Sequence, residues 1–302
     1  MNKDITAADA GSWQLGDLTV HRIGFGAMRL TGSAAFDLGT PRDRERSIAV
    51  LRRAVELGVN HIDTAAFYFS TLRSANEIVN SALAPYPDDL VIATKVGPGR
   101  DTWGEWTTAR PEQLRGQVEE NLRQLGRDHL DLVNLRMMPG MAQFGTVSDY
   151  VGALAELREA GLIRHLGLSA VRAEHLAEAR RVAPVVCVQN RYGIDSRSAD
   201  ADDLLRLCGE LGIAFVPFFA IAGEGREEGA AAAGHDEELL AIAREHGASP
   251  AQVRLAWTLQ RGPHVLAIPG TGNPDHVDEN VAAGALRLSP EELARLDALG
   301  RA

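Results

Sequence analysis

The amino-acid sequence predicts one α/β domain, a closed (β/α)8 barrel with a short N-terminal β-hairpin, spanning residues 1–302. Three observations carry that reading. Short apolar runs of about five or six residues recur along the chain, β-branched and brief enough to be strands. Segments of helical period alternate with them, and such alternation forces parallel pairing. The runs number eight, and eight parallel strands close on themselves; a doubly wound open sheet is the structural rival.

In order, the predicted barrel strands are Ile23–Gly26, Asn60–Thr64, Leu90–Lys95, Leu130–Leu135, Ile163–Ser169, Val185–Gln189, Ile213–Pro217 and His264–Ile268. Residues 12–21 precede them as a small hairpin turning at Gly16-Asp17. Between strands, Leu114, Val118, Leu122 and Leu125 mark one helical face, and Leu204, Leu207 or Cys208, and Leu211 another. Gly58, Gly126, Gly161 and Gly212 each follow a helical stretch just before the next strand, where a left-handed turn is cheapest without a Cβ. Segment 222–234, rich in Gly, Ala and Glu, reads as a mobile loop after barrel strand seven. The last predicted helix, Glu291–Leu299, leaves no tail to close a pocket.

Composition excludes several classes of function. With 41 acidic against 31 basic residues the net charge is -10, so the field that would gather nucleic acid is missing. No stretch approaches the ~20 apolar residues that span a bilayer. The opening MNKDITAADAGSW lacks the apolar centre of a secretory signal. Cys187 and Cys208 make no CxxC or metal spacing, so two buried free thiols in the cytoplasm are expected, and no metal site. His61 and Asp63 stand two apart without a third ligand, and His61 is read as a core histidine. No long apolar seam fixes an oligomeric state.

Polar residues that fit poorly in apolar strands collect at the strands' C-terminal ends. Asp63 ends strand two, Lys95 ends strand three, Arg136 follows strand four, Ser169 ends strand five, and Gln189-Asn190 end strand six. In a barrel these ends converge on one mouth. Singly, each has a plain structural reading as a helix cap, a snorkelling lysine or an amide serving loop backbone. Together they make a site. Tyr68 lies on the loop leaving strand two, and an unassisted phenol exchanges protons poorly at neutral pH. An ammonium ~4 Å away favours the phenolate by about 4 kcal/mol at an effective dielectric of ~20. Lys95 is the candidate ammonium and Asp63 the group that keeps it charged and aimed. Packing within Ala66-Phe67-Tyr68-Phe69 is the competing reading of the tyrosine. Met137-Met138 suit the mouth or the core beneath it, and Trp103 and Trp106 are walls for a ring or lids on core.

At these residues the sequence resembles the aldo-keto reductase family. The resemblance runs from about Trp13 to Leu299. It is carried by Gly24-Phe25-Gly26-Ala27-Met28, His61-Ile62-Asp63-Thr64-Ala65 with Tyr68, Thr94-Lys95 and Gly167-Leu168-Ser169. Val188-Gln189-Asn190, Val216-Pro217-Phe218, Ile268-Pro269-Gly270-Thr271 and Glu279-Asn280 complete it. It implies a barrel that binds a nicotinamide cofactor without a Rossmann domain and reduces a small-molecule aldehyde or ketone. By position it makes Asp63, Tyr68 and Lys95 catalytic, with Tyr68 the general acid. The family's fourth catalytic residue is usually His; here it is Arg136, always charged and rich in donors.

For the cofactor the resemblance implies Gly26, Ala27, Met28 and Asp63 along the approach, Phe218 stacked on the nicotinamide, and Ser169 and Gln189 on its carboxamide. Ala170 stands where relatives often have Asn, which removes one hydrogen bond. Residues 270–274 read as a loop entering a helix, with Asn273 as N-cap and Pro274 first in the helix, an end that suits phosphate. Gly270, Thr271, Asn273 and His276 are the candidates there, with Glu279 and Asn280 toward the adenine. Many relatives have Lys and Arg where this chain has Gly270 and His276, and Asp275 adds a negative charge. NADPH rather than NADH therefore rests mostly on the resemblance. Val133-Asn134-Leu135-Arg136-Met137-Met138 narrows the likeness to bacterial pyridoxal reductases (pyridoxine 4-dehydrogenases), whose reaction is reduction of pyridoxal to pyridoxine. Reduction of sugar or polyketide-type carbonyls, and a cofactor-binding regulatory role with little turnover, stay open as alternatives.

Overall fold

The computed structural model describes residues 5–33, 40–101, 105–221 and 236–299. The predicted loop 222–234 and Trp103 lie outside them. A hairpin of β1 (Ser12–Leu15) and β2 (Leu18–His21) comes first, followed by β3 (Phe25–Gly26), α1 (Arg44–Glu56), β4 (His61–Asp63), α2 (Ala75–Leu83) and β5 (Val91–Val96). A second hairpin, β6 (Pro98–Arg100) and β7 (Trp106–Thr108), leads to α3 (Leu114–Leu125), β8 (Leu130–Arg136), α4 (Val147–Glu159), β9 (Ile163–Ser169) and α5 (Ala173–Val182). Then come β10 (Val185–Gln189), α6 (Ala199–Glu210), β11 (Ala214–Phe215), α7 (Glu237–Glu245), α8 (Pro250–Leu259), α9 (Pro274–Ala282) and α10 (Pro290–Leu299).

Strands β3, β4, β5, β8, β9, β10 and β11 form one parallel sheet in that order, which are the first seven predicted barrel strands. The eighth predicted strand closes the ring through isolated bridges, Val265 to Phe215 on one side and Ala267 to Ile23 on the other. Its backbone bonds are short: Leu266 N–H donates to Phe215 O at 2.9 Å, and Gly24 N–H donates to Ala267 O at 2.8 Å. Pro269 follows at once and has no N–H to extend the ladder. The architecture is the (β/α)8 barrel. Gly58, Gly126, Gly161 and Gly212 take φ of 80°, 64°, 80° and 68°, as expected of left-handed helix ends.

Alternation along the strands explains how the interior is filled. Val91 and Ala93 of β5, Leu132 of β8, Cys187 of β10, Ala214, Val216 and Leu266 form one buried cluster with Leu15 and Val20 of the first hairpin. The hairpin thus plugs one end of the barrel. It is tied there by Asn60, whose Oδ1 accepts from His21 N–H at 2.8 Å and whose Nδ2 donates to Thr19 O at 3.0 Å. The intervening residues, such as Ile92, Val133, Leu168 and Phe215, join the larger core between sheet and helices. Carrying the inward set two residues onward reaches Lys95 from Ala93, Gln189 from Cys187 and Phe218 from Val216. Two steps on from Leu132 is Arg136. Period two therefore places these side chains at the opposite, open end. No described helix is long and apolar enough to cross a membrane.

Candidate active site

At the open end the polar side chains form one continuous hydrogen-bonded arc. Lys95 Nζ donates to Asp63 Oδ1 at 2.6 Å and to the Thr64 carbonyl at 2.9 Å. The other carboxylate oxygen of Asp63 accepts from Gln189 Nε2 at 2.7 Å. Gln189 Oε1 accepts from Ser169 Oγ at 3.4 Å, and Ser169 Oγ accepts from Arg136 Nη1 at 3.3 Å. Strand register makes this possible, since Gln189 pairs with Ser169 and Ser169 with Arg136 across neighbouring strands.

Lys95 and Asp63 are buried, with 2% and 6% of their side chains exposed. Burial alone would lower the ammonium's proton affinity, but the Asp63 carboxylate and the Tyr68 hydroxyl outweigh it and hold Lys95 above its ordinary range. A lysine so placed is permanently charged at neutral pH. Tyr68 is buried beside it, its ring centroid 4.8 Å from Nζ and packed edge-to-face on Phe67 at 5.1 Å. This tyrosine thus packs against Phe67 and also lies against the ammonium. The backbone turn that carries it is fixed by Tyr68 N–H to Ala65 O at 3.1 Å and Ala75 N–H to Tyr68 O at 2.7 Å.

The cleft above has Gly26, Met28, Tyr68, Arg136, Phe218 and Gly270 among its walls. The Arg136 guanidinium lies 5.0 Å over the Phe218 ring. Glycine is required where the first and last barrel strands meet, because a Cβ on Gly26 would fall 2.6 Å from Ile268 O and one on Gly270 2.5 Å from Gly26 O. Ala27 is fully buried in the core behind that seam. Trp106, 39% exposed, stands on β7 with its ring 5.9 Å from Phe67 and the Arg100 guanidinium 4.0 Å away.

Other candidates are placed differently. Asn190 leaves the mouth to hold the loop after β9, accepting from Val171 N–H at 3.0 Å and donating to Val171 O at 2.6 Å. Asn273 does sit at the N-cap of α9 with Pro274 after it, but its side chain caps nothing. Instead its Oδ1 accepts from Arg46 Nη2 at 3.3 Å, while its N–H donates to Thr271 Oγ1 at 3.1 Å. Thr271 Oγ1 also lies 3.4 Å from His276 Nδ1. Thr271, Asn273, His276, Glu279 and Asn280 thus gather on the loop and first turns of α9, beyond Gly270 and outside the central cleft.

Two groups escaped the sequence reading. Arg42 and Arg46, flanking the start of α1, reach across to the Gly272 carbonyl. Behind Lys95, four fully buried polar side chains link α2 and α3 to the strand ends. Thr64 Oγ1 donates to Asn76 Oδ1 at 2.8 Å, and Asn76 Nδ2 and Thr94 Oγ1 donate to Asn121 Oδ1 at 2.9 and 2.6 Å.

Comparison with known proteins identifies the family. The aldo/keto reductase family model matches residues 22–301. Pyridoxine 4-dehydrogenase of Escherichia coli K12 is 44% identical over 97% of this chain and 99% of its own. A thermostable aldo-keto reductase solved with the inhibitor epalrestat superposes with a TM-score of 0.78 at 30% identity, covering 96% of this chain and 99% of that one. An aldo-keto reductase of Klebsiella pneumoniae solved with NADPH gives 0.75 at 26% identity, covering 99% and 96%. On a family match along nearly its whole length, the chain belongs to the aldo/keto reductase family.

Proposed function

We propose that this chain reduces pyridoxal to pyridoxine with NADPH, with Tyr68 as the proton donor. The observation that carries the reading is the unbroken arc from Tyr68 through Lys95, Asp63, Gln189 and Ser169 to Arg136. When bound, the cofactor supplies the hydride. The residues present fit such a dinucleotide: an aromatic face at Phe218, an amide and a hydroxyl at Gln189 and Ser169, and Gly26 and Gly270 lining the cleft beside them. Phe218 would take the nicotinamide face while Gln189 and Ser169 orient its carboxamide.

As the carbonyl oxygen gains negative charge, Tyr68 gives it a proton, and the Lys95 ammonium stabilises the phenolate left behind. Asp63 keeps that ammonium charged and aimed. Arg136 donates to a substrate oxygen, and its fixed charge suits an aldehyde with an adjacent phenolic oxygen, as pyridoxal has. The 44% identity to a pyridoxine 4-dehydrogenase supports that choice over sugar or polyketide-type carbonyls. Buried free Cys187 and Cys208 suit a cytoplasmic enzyme.

The test is loss of NADPH absorbance with pyridoxal, for wild type beside Tyr68→Phe, and with benzaldehydes bearing or lacking the ortho hydroxyl. We expect turnover that falls at least about a hundredfold in the variant, and faster reduction of the ortho-hydroxy aldehyde. Equal rates for the two benzaldehydes would remove pyridoxal-type recognition. Tight NADPH binding without turnover on any aldehyde would favour the regulatory role that Arg136, in place of a histidine, also allows.

A further inference from the structure

The loop that follows the last barrel strand has little positive charge of its own. Gly270 and His276 stand where many relatives have Lys and Arg, and Asp275 is acidic. Charge is instead brought to it from the other end of the sequence. Arg46 donates from Nε to Gly272 O at 2.9 Å and from Nη2 to Asn273 Oδ1 at 3.3 Å. Arg42 donates from Nε to Arg29 O at 3.1 Å and from Nη1 to Gly272 O at 3.5 Å. Its guanidinium packs flat on Gly272, where a Cβ would fall 2.2 Å from Cζ.

The acceptors of both guanidinium groups are neutral. Neither meets a carboxylate among the described residues, although Arg44 and Arg53 of the same helix pair with Glu45 and Asp278. Arg42 is half-buried, and both burial and the neighbouring Arg46 charge disfavour its protonated form. Two like charges held together at a neutral carbonyl, each with N–H donors to spare, repel unless an anion joins them. The adjoining residues are Thr271 with its hydroxyl and the first turn of α9.

We propose that Arg42 and Arg46 form the anion site for the ribose phosphate of NADPH, and so set the preference for NADPH over NADH. This rests on the cofactor reading above. The phosphate replaces the missing counter-charge, and the two arginines do the work that basic loop residues would otherwise do. NADH lacks that phosphate and gains nothing from them.

Equilibrium binding to the full-length protein tests this, followed by nicotinamide fluorescence with no substrate added. Wild type should bind NADPH well above NADH. Arg42→Gln and Arg46→Gln keep the stems and remove the charges; each should weaken NADPH about tenfold, the pair on the order of a hundredfold, with NADH moved less than about threefold. Arg44→Gln is the control and should leave both unchanged. Adenosine 2′-monophosphate should compete in wild type and not in the double variant, whereas adenosine 5′-monophosphate should not discriminate. Should the double variant disturb the fold, Arg46→Gln at its exposed position carries the test alone. Equal loss of NADPH and NADH would make the arginines mere loop supports, and unchanged NADPH affinity would leave the phosphate to Thr271 and backbone; either overturns the proposal. A wild type that binds NADH as tightly as NADPH overturns the cofactor reading itself.

Discussion

Replacing Lys95 by Met separates the charge of the site from its packing. The stem volume is nearly kept, but Asp63 loses the ammonium at 2.6 Å and retains Gln189 as its remaining side-chain donor. Removing one member of a buried ion pair typically costs about 3–5 kcal/mol. For a chain of this size that is a fall in melting temperature of roughly 5–8 °C. The catalytic effect depends on a different distance. Nζ stands 4.8 Å from the Tyr68 ring centroid. At an effective dielectric of ~20 its field favours the phenolate by about 3 kcal/mol, or roughly two orders of magnitude in rate. Single-turnover loss of NADPH absorbance and thermal melting read the two effects independently. In the double variant Asp63→Asn with Lys95→Met both charges are gone, so stability should recover by about half while activity stays low. A Lys95→Met protein keeping more than roughly a tenth of wild-type turnover would refute the role of the ammonium. A double variant that regains activity along with stability would refute it equally.

Three further outcomes are expected. Ala170 holds φ of 57°, a conformation that costs a residue with a Cβ about 1–2 kcal/mol, so Ala170→Gly should melt higher, and Ala170→Asn should also bind NADPH more tightly; no rise in either variant would contradict the strain. His61 is buried with both ring nitrogens unpartnered among the described residues, and burial pushes it down to about 4 from the usual 6.5. Below pH 6.5 the unfolded chain takes up a proton that the folded chain refuses, so stability present above that pH is lost as pH falls through about 4, by up to about 3 kcal/mol. Urea unfolding of wild type and His61→Asn between pH 7.5 and 4.5 checks this, and parallel curves would count against it. Asn121→Leu breaks the buried link from Thr94 to Asn76. Stranded partners should cost about 1–3 kcal/mol, and kcat should fall more than KM rises; unchanged kcat would make the network purely structural.

The parts of this fold that were legible in sequence are those set by local pattern. Seven strands follow from β-branched runs, and the mouth residues follow from period two, because Lys95, Gln189 and Phe218 continue rows of small apolar side chains already committed to the interior. The eighth strand was legible as a run but shrinks to two bridges, since Pro269 ends its ladder. What stayed hidden depends on distant packing. Arg46 and Gly272 are 226 residues apart, and only the apposition of α1 and α9 joins them. The same contact explains the idle cap: Asn273 occupies the N-cap position, but Arg46 has taken its side-chain oxygen. Asn76 and Asn121 are amides in amphipathic helices, which read as surface; they are buried because each faces a threonine at a strand end.

The arginine that replaces the family's histidine has a consequence for the two redox forms of the cofactor. Asp63 is paired with the Lys95 ammonium and its other oxygen accepts from Gln189, so the opposite charges of Asp63 and Lys95 largely offset each other at Arg136. Among the described residues the contacts of Arg136 are Ser169 Oγ and the Phe218 face, both neutral, which sets a positive charge with no carboxylate partner there beside the place proposed for the nicotinamide. The oxidised nicotinamide ring is cationic and the reduced ring is not. At ~5 Å and an effective dielectric of ~20 the repulsion is about 3 kcal/mol, and solvent at the open mouth reduces it to about 1 kcal/mol. Arg136 should therefore weaken NADP+ relative to NADPH by about fivefold, which speeds product release after carbonyl reduction. In Arg136→Met the ratio of the two dissociation constants should close by that factor, measured by displacement of NADPH fluorescence. Histidine at the same position, neutral near pH 7.5, should give the same ratio as Met at that pH and move back toward the arginine value as the solution is acidified. If Met, His and Arg all bind the two forms in one unchanged ratio, the guanidinium does not feel the ring, and its place in the arc is to serve the substrate alone.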